Sequence, residues 1–365
     1  MENTKKKSWL RLLVPGFFFQ SVVIGGGYGT GAEISQYFQV SGFVGGLLGM
    51  VITLVIWSVL CAVTFEFTRV FKTYDYQSMM GKLLGPGAIL YEIAYIALML
   101  LVLGVVVDSA GSMINSLTGI TPWFGKILLA AGATILVVKG TQAIENVLTF
   151  WSYVLYAVYI VFMICCFTKF GGEIANQFSA MEINAGWASN GVTYAFYNLG
   201  CVPLLLYTVR GCETRKEAVV SGLLAGAIGV IPAALLLVIL VGAPGTLGAG
   251  VPVTAVFEAL DMDWLYWIFE IVLMGTLIET ATGFIKALDD RVHNTITKAG
   301  KEAPKWLHLV LAIVLAIAGI GVAQFGLVAI IAKGYNAMNW VFMLIFALPM
   351  VTLGIYKIAK ADKKA

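Results

Sequence analysis

The stretch Ile24-Gly25-Gly26-Gly27-Tyr28-Gly29-Thr30-Gly31-Ala32-Glu33 places five glycines within seven residues, in the middle of an otherwise apolar run. Each glycine costs about 1 kcal/mol of helix stability relative to alanine. A helix that frays inside lipid leaves backbone N–H and C=O groups that no water can satisfy, so such backbone is expected to line a cavity or hold a ligand. The break would present N–H groups at the start of one half-helix, suited to a carboxylate, and C=O groups at the end of the other, suited to a cation. Gly25/Gly29 and Gly27/Gly31 have the spacing of a helix-packing motif, but the five glycines go all the way round the helix and packing needs only one face. Gly27, Gly29 and Ala32 meet a loose dinucleotide pattern without a preceding strand, and no Walker motif is present, so nucleotide chemistry is excluded.

A second set of residues consists of acids inside apolar runs: Glu33, Asp108, Glu270 and Glu279, with no lysine or arginine expected at comparable depth. A charge near a bilayer centre costs at least about 2.5 kcal/mol on insertion scales. Each acid is therefore expected to face a cavity, carry a proton or bind a cation, which points to sodium or protons as a coupling ion. Asp108, Ser112 and Asn115 share one helical face, as do Thr276, Glu279, Thr280 and Gly283. Two threonine hydroxyls one turn apart suit a hard cation such as sodium; the alternative is that each hydroxyl bonds back to the carbonyl four residues earlier. A second interruption follows at Tyr197-Asn198-Leu199-Gly200-Cys201-Val202-Pro203, and Gln20 and Tyr194 add polar and aromatic groups near the two breaks. Glu66, Glu92 and Glu145 fall near span ends, where solvent or loop cations can meet them. No catalytic residue is assigned, because no histidine, paired-Asp protease motif or metal-ligand cluster lies at midspan.

The elements that must carry these residues follow from composition. Of 365 residues 60% are hydrophobic and 12% charged, with a mean hydropathy of +0.90, so most of the chain belongs in lipid. An all-α polytopic membrane protein is expected, with ten transmembrane helices at about 12–38, 42–67, 87–117, 122–139, 143–168, 187–209, 217–242, 264–287, 305–323 and 338–357. Residues 254–260 are expected to form a short surface helix, and Phe325 to Ala337 a separate interfacial or re-entrant one. The basic residues, Lys5-Lys6-Lys7 among them, put both termini in the cytoplasm and leave only Lys126, Lys169 and Lys333 outside. The first apolar run is long enough to span and is read as an uncleaved helix. A net charge of +3 with no basic tract excludes nucleic acid as a partner. Five cysteines without a CxxC pair read as packing residues, and both histidines fall in or beside a polar loop, so no metal site beyond one for sodium is expected.

Ten spans divide into 12–168 and 187–357, and the first span of each half is interrupted at the same depth. Because five is odd, the second half enters inverted, the arrangement of many secondary transporters. No residue-by-residue similarity links the halves, so the symmetry rests on hydropathy and the two breaks.

The run from Gly25 to Phe38, G-x-G-Y-G-T-G-A-E-I-x-Q-Y-F within it, resembles the YkvI-type amino acid permeases, a bacterial family of the amino acid-polyamine-organocation superfamily. Length, span number and motif position extend the resemblance over nearly the whole chain. Members more often have Gln where this sequence has Ala32, so no role for that glutamine carries over. The resemblance implies a LeuT-type fold with a 5+5 inverted repeat and broken helices 1 and 6, in a bacterial or archaeal cytoplasmic membrane. It implies a substrate site at Gly25, Gly26, Gly27, Tyr28, Gly29 and Thr30 together with Tyr197, Asn198 and Gly200, and a cation site near Ile24, Thr276 and Thr280. Backbone N–H groups at Gly27 to Thr30 are expected to hold a substrate carboxylate, carbonyls and Asn198 around the second break together with Asp108 its amine, and Glu33 and Glu279 to serve cation coupling. The expected function is symport of an amino acid or similar small zwitterion by alternating access, with no cofactor beyond sodium or protons. The alternative is a sensor on a transporter fold, similar to the permease-like subunits of spore germinant receptors, that binds without transport.

Overall fold

The computed structural model describes residues 2–139, 141–298, 300–302, 304 and 306–363, with the side chains of 2–10, 141–150, 152, 153, 204, 294 and 298 left aside. The side chains of Lys5, Lys6, Lys7 and Glu145 therefore lie outside the described residues. The described chain is almost entirely helical. The expected first span is three pieces, α1 (Glu2–Val23), α2 (Gly26–Gly29) and α3 (Ala32–Tyr37). There follow α4 (Phe43–Phe71), α5 (Tyr76–Leu84), α6 (Ala88–Thr118), α7 (Pro122–Lys139), α8 (Thr141–Ala180) and α9 (Trp187–Leu199). After a 3-10 segment, Val202–Gly211, come α10 (Arg215–Gly242), α11 (Pro252–Leu260), α12 (Asp263–Lys298), α13 (Leu307–Ala323) and α14 (Leu327–Asp362).

Among the described residues seven helices are long and apolar enough to cross a membrane, and Arg11–Val23 and Leu307–Ala323 are apolar but shorter. The sixth expected span is α9 plus the 3-10 segment, with the helix interrupted at Gly200–Cys201. One expectation is overturned: 325–337 is not a separate short helix. The chain turns at Gly326 (φ +79°) and then runs on helically through π-type turns at Ile330–Tyr335, Met343–Ala347 and Met350–Gly354. Wider π turns absorb irregular packing without ending the helix.

The helices pack as two groups. One consists of α1, α4, α9 and α10; the other of α6, α7, α12 and α13. In the first, Trp57 Nε1 donates to Ala195 O at 3.0 Å, Thr53 Oγ1 to Gly191 O at 2.9 Å and Ser221 Oγ to Leu12 O at 2.8 Å. Such bonds give polar groups partners where water is absent. Small residues bring α4 and α10 into backbone contact: a Cβ at Gly226 would stand 2.6 Å from Ser58 N, and one at Gly222 would overlap the Ala62 backbone. Gly42 and Gly46 likewise meet Glu182 and Phe38 backbone, so both glycine pairs pack within the chain. Gly222→Val is accordingly expected to destabilise by about 1–3 kcal/mol through overpacking, read as a lowered Tm of the purified protein in detergent.

Both ends of the described chain lie at one end of the bundle. Arg11 packs by Gly211, and Arg215 Nη1 meets Asp362 Oδ2 at 3.2 Å. At this end Arg69 clasps the buried Glu66 at 2.7 and 2.8 Å, and Arg291 pairs with Glu92. Buried acids at helix ends thus have cationic partners, whereas those deeper in the bundle mostly do not.

Candidate functional site

The glycine stretch bridges the two helix groups. α1 stops at Val23, Gly25 is extended (φ −102°, ψ −164°), and the single turn α2 gives way to α3 at Gly31, whose φ of +79° strongly favours glycine. α2 touches both α6 and α12. A Cβ at Gly26 would stand 3.0 Å from Val106 Cα and 3.1 Å from both Ser109 Oγ and a Leu277 methyl. One at Gly25 would lie 3.7 Å from Thr280 Cγ2, and one at Gly29 would overlap Leu273. Leu273, Leu277 and Thr280 follow one another on a single face of α12, so this face runs along the broken backbone. Close approach of that face is why the turn needs glycine.

Within the break, Thr30 Oγ1 donates to the carbonyls of Gly26 at 2.8 Å and Gly27 at 3.2 Å, the former also accepting from Thr30 N at 3.1 Å. Thr30 O accepts from Val253 N at 3.1 Å, which ties the turn to the start of α11. Ile24 is buried, its amide donating to Gln20 O at 2.8 Å; Gln20 Oε1 accepts from Tyr156 OH at 2.8 Å.

Glu33 is the acid placed at this turn. It sits in the first turn of α3 with 4% exposure and folds back over α2, so that a Cβ at Gly27 would fall 2.7 Å from Glu33 Cγ and overlap Oε1. Its other oxygen, Oε2, accepts from Tyr197 OH at 2.5 Å. One carboxyl group thus joins the first break to the helix that leads into the second. Among the described residues no lysine, arginine or histidine forms an ion pair with it. Aromatic rings enclose it: Tyr197 stacks on Tyr335 at 4.5 Å and packs against Tyr194 at 5.7 Å and Tyr37 at 6.0 Å. The hydroxyls of Tyr28 and Tyr194 are buried and lack a hydrogen-bond partner among the described residues. One hydrogen-bonded acid and two hydroxyls without a partner among the described residues are thus buried around the first break.

At the second break the backbone is largely occupied. Gly200 O accepts from Tyr91 OH at 2.5 Å, Asn198 Nδ2 donates to Tyr194 O at 3.0 Å, and the Phe342 ring fills the space where a Gly200 side chain would lie. Tyr91 and Tyr335 come from α6 and α14, and nothing in their local sequence marks them as neighbours of the break. Tyr37, four residues beyond Glu33, was legible as a member of the same helical face.

Asp108 departs from expectation. Its Oδ1 lies 3.0 Å from Lys126 Nζ and its Oδ2 accepts from Leu327 N at 2.8 Å. The view that no basic residue reaches the depth of the acids is therefore corrected for Asp108, which binds α7 and the start of α14 to α6. Gly111 and Gly125 make this possible. A Cβ at Gly111 would stand 2.8 Å from Lys126 Cε, and one at Gly125 would overlap Ala110 O. Without side chains at these points, the lysine stem lies flat along α6 and carries its ammonium inward.

On α12, Thr276 Oγ1 donates to Val272 O at 3.1 Å and Thr280 Oγ1 to Thr276 O at 3.0 Å, so both hydroxyls make the local back-bond. Each oxygen keeps lone pairs that can face a cation. Glu279 Oε1 and both oxygens of Glu270 are buried without hydrogen-bond partners, and neither acid touches Glu33 through a hydrogen bond among the described residues.

The arrangement of a broken first helix, a broken sixth and two packed four-helix groups is the LeuT-type fold. The structure is similar to a Na+-coupled sialic acid symporter in a substrate-bound outward-open state, with a TM-score of 0.64 at 13% identity over 91% of this chain and 78% of that one. It is similar to MhsT in complex with L-phenylalanine, with a TM-score of 0.67 at 15% identity over 97% of each chain. A manganese transporter of Eremococcus coleocola follows, with a TM-score of 0.57 at 14% identity over 94% of this chain and 79% of that one. No family model and no curated protein matches the sequence.

Proposed function

We propose that this chain is a secondary transporter for an amino acid or a similarly small zwitterion, coupled to sodium or protons and working by alternating access, with both termini in the cytoplasm. The observation that carries the reading is the Glu33 carboxyl group, folded over Gly27 and held by Tyr197 OH at 2.5 Å, so that both helix breaks converge on one buried acid. A buried carboxylate without a basic partner is costly. A substrate ammonium group, a coupling proton or a sodium ion is the counter-charge that the site lacks. The amine is assigned to Glu33 rather than to Asp108, which already holds Lys126, or to the Gly200 carbonyl, which already accepts from Tyr91. The substrate carboxylate falls to the backbone of the Gly25–Thr30 turn.

Sodium is assigned to the space between Ile24 and the hydroxyls of Thr276 and Thr280, the Thr280 methyl lying 3.7 Å from the Cβ position of Gly25. Thr276→Ala with Thr280→Ala is expected to cut sodium-stimulated uptake at least about tenfold, the loss of two charge-assisted contacts being about 1.5–3 kcal/mol each. Equal stimulation by sodium in the double variant would remove this site.

The deciding experiment is a screen of amino acids for uptake into proteoliposomes under imposed sodium and proton gradients. Accumulation that collapses with either gradient supports the reading. Binding by the purified protein without flux would make the chain a sensor, and flux indifferent to sodium and pH would detach the acid from coupling.

A further inference from the structure

The chain has only two histidines, and the fold brings them together. Asp289 and His293 stand four residues apart on one face of α12, close to where it ends, and His308 is the second residue of α13. Both oxygens of Asp289, which is wholly buried, lie 2.7 Å from His308 Nδ1. The two imidazoles stack at 4.7 Å with 16° between their planes, and His293 Nδ1 is buried without a partner among the described residues. One donor atom from each of the three residues lies within 4.8 Å of the others. The surrounding charges are Lys286, 3.3 Å from Asp289 and 2.5 Å from Asp290, and Arg291, which is paired with Glu92.

We propose that Asp289, His293 and His308 form a binding site for a first-row divalent cation of the zinc type, which ties the end of α12 to the start of α13. Two imidazole nitrogens and a carboxylate oxygen make a borderline donor set that suits zinc, with water completing four-coordination. Ligand atoms about 2.0–2.2 Å from a tetrahedral ion stand about 3.3–3.6 Å apart, so the 2.7 Å Asp289–His308 contact opens by about 0.6–0.9 Å as the ion replaces the proton between them. A structural Asp–His pair accounts for His308 but not for the partnerless His293 Nδ1 beside it. Lys286 keeps Asp290 as its partner when Asp289 turns to the ion. Both histidines are partly exposed, which gives the ion a route in from solvent.

The test uses the full chain carrying no polyhistidine tag, stripped with chelator and titrated with Zn2+ alone by calorimetry. One ion per chain is expected, with His293→Ala and His308→Ala each weakening binding at least about tenfold. Titration of the unaltered protein with Co2+ needs no variant to fold, and is expected to give the visible bands of a four-coordinate nitrogen and oxygen site. Absence of binding, unchanged affinity in a folded His293→Ala, or a thiolate-type Co2+ spectrum assigning the ion to cysteine would each overturn the proposal.

Discussion

Glu33→Gln is expected to lower substrate uptake by two to three orders of magnitude while leaving the protein folded. Glutamine has nearly the same volume as glutamate, and its amide oxygen can still accept from Tyr197 OH, so the stacked ring pair of Tyr197 and Tyr335 keeps its support. What disappears is the charge. Truncating one member of a buried ion pair typically costs about 3–5 kcal/mol, and each 1.4 kcal/mol is tenfold in an equilibrium constant. If the partner of Glu33 is the substrate ammonium, binding by the purified variant falls together with uptake. If the partner is a coupling proton, binding survives and the pH dependence of uptake is lost. Uptake by Glu33→Gln equal to that of the unaltered protein would remove the acid from the mechanism altogether.

The second large effect is expected at Gly27. A Cβ there would overlap Glu33 Oε1 and stand 2.7 Å from Cγ, so Gly27→Ala must push the carboxyl away from its seat on the turn. Overpacking of this kind costs about 1–3 kcal/mol, and here the strain falls on the bond between Glu33 and Tyr197. Substrate affinity should drop at least about tenfold, and Gly27→Leu should abolish binding. Placing Gly27→Ala in the Glu33→Gln background discriminates further. If the glycine acts through the acid, the second substitution adds little to the first, because residues in contact are not additive. Fully additive losses would mean that Gly27 touches the substrate by itself.

Much of the fold was legible because its determinants are local. Runs of apolar residues bounded by Gly42, Gly87 and Gly119 delimit helices, and α6 spans Ala88–Thr118 where hydropathy places it at 87–117. The break in the first helix follows from backbone propensity alone: five glycines in seven residues cannot hold a helix in place, and Gly31 takes a left-handed φ of +79°. Gly200 and Pro203 act in the same way on the sixth expected span. Where the helix resumes, local rules were weaker, since apolar residues from 325 onward fit a short helix and a long one equally. Packing on Gly200 and Leu101, with π turns, decides for the long one.

Side-chain partnership was another matter. That acids lie within the bundle and that the glycine turn cannot be ordinary helix could be read from the sequence, for both facts depend on composition and on neighbours within a few residues. Only the tertiary structure decided that Glu33 folds back onto Gly27 and reaches Tyr197, 164 residues away. It also decided that Lys126 neutralises Asp108, and that Asp289, His293 and His308 meet. The physical reason is common to all three. A helix sets the face on which a residue stands, but the residue opposite is chosen by how helices pack; for Lys126 and Asp108 that closeness depends on Gly111 and Gly125 on the facing surfaces.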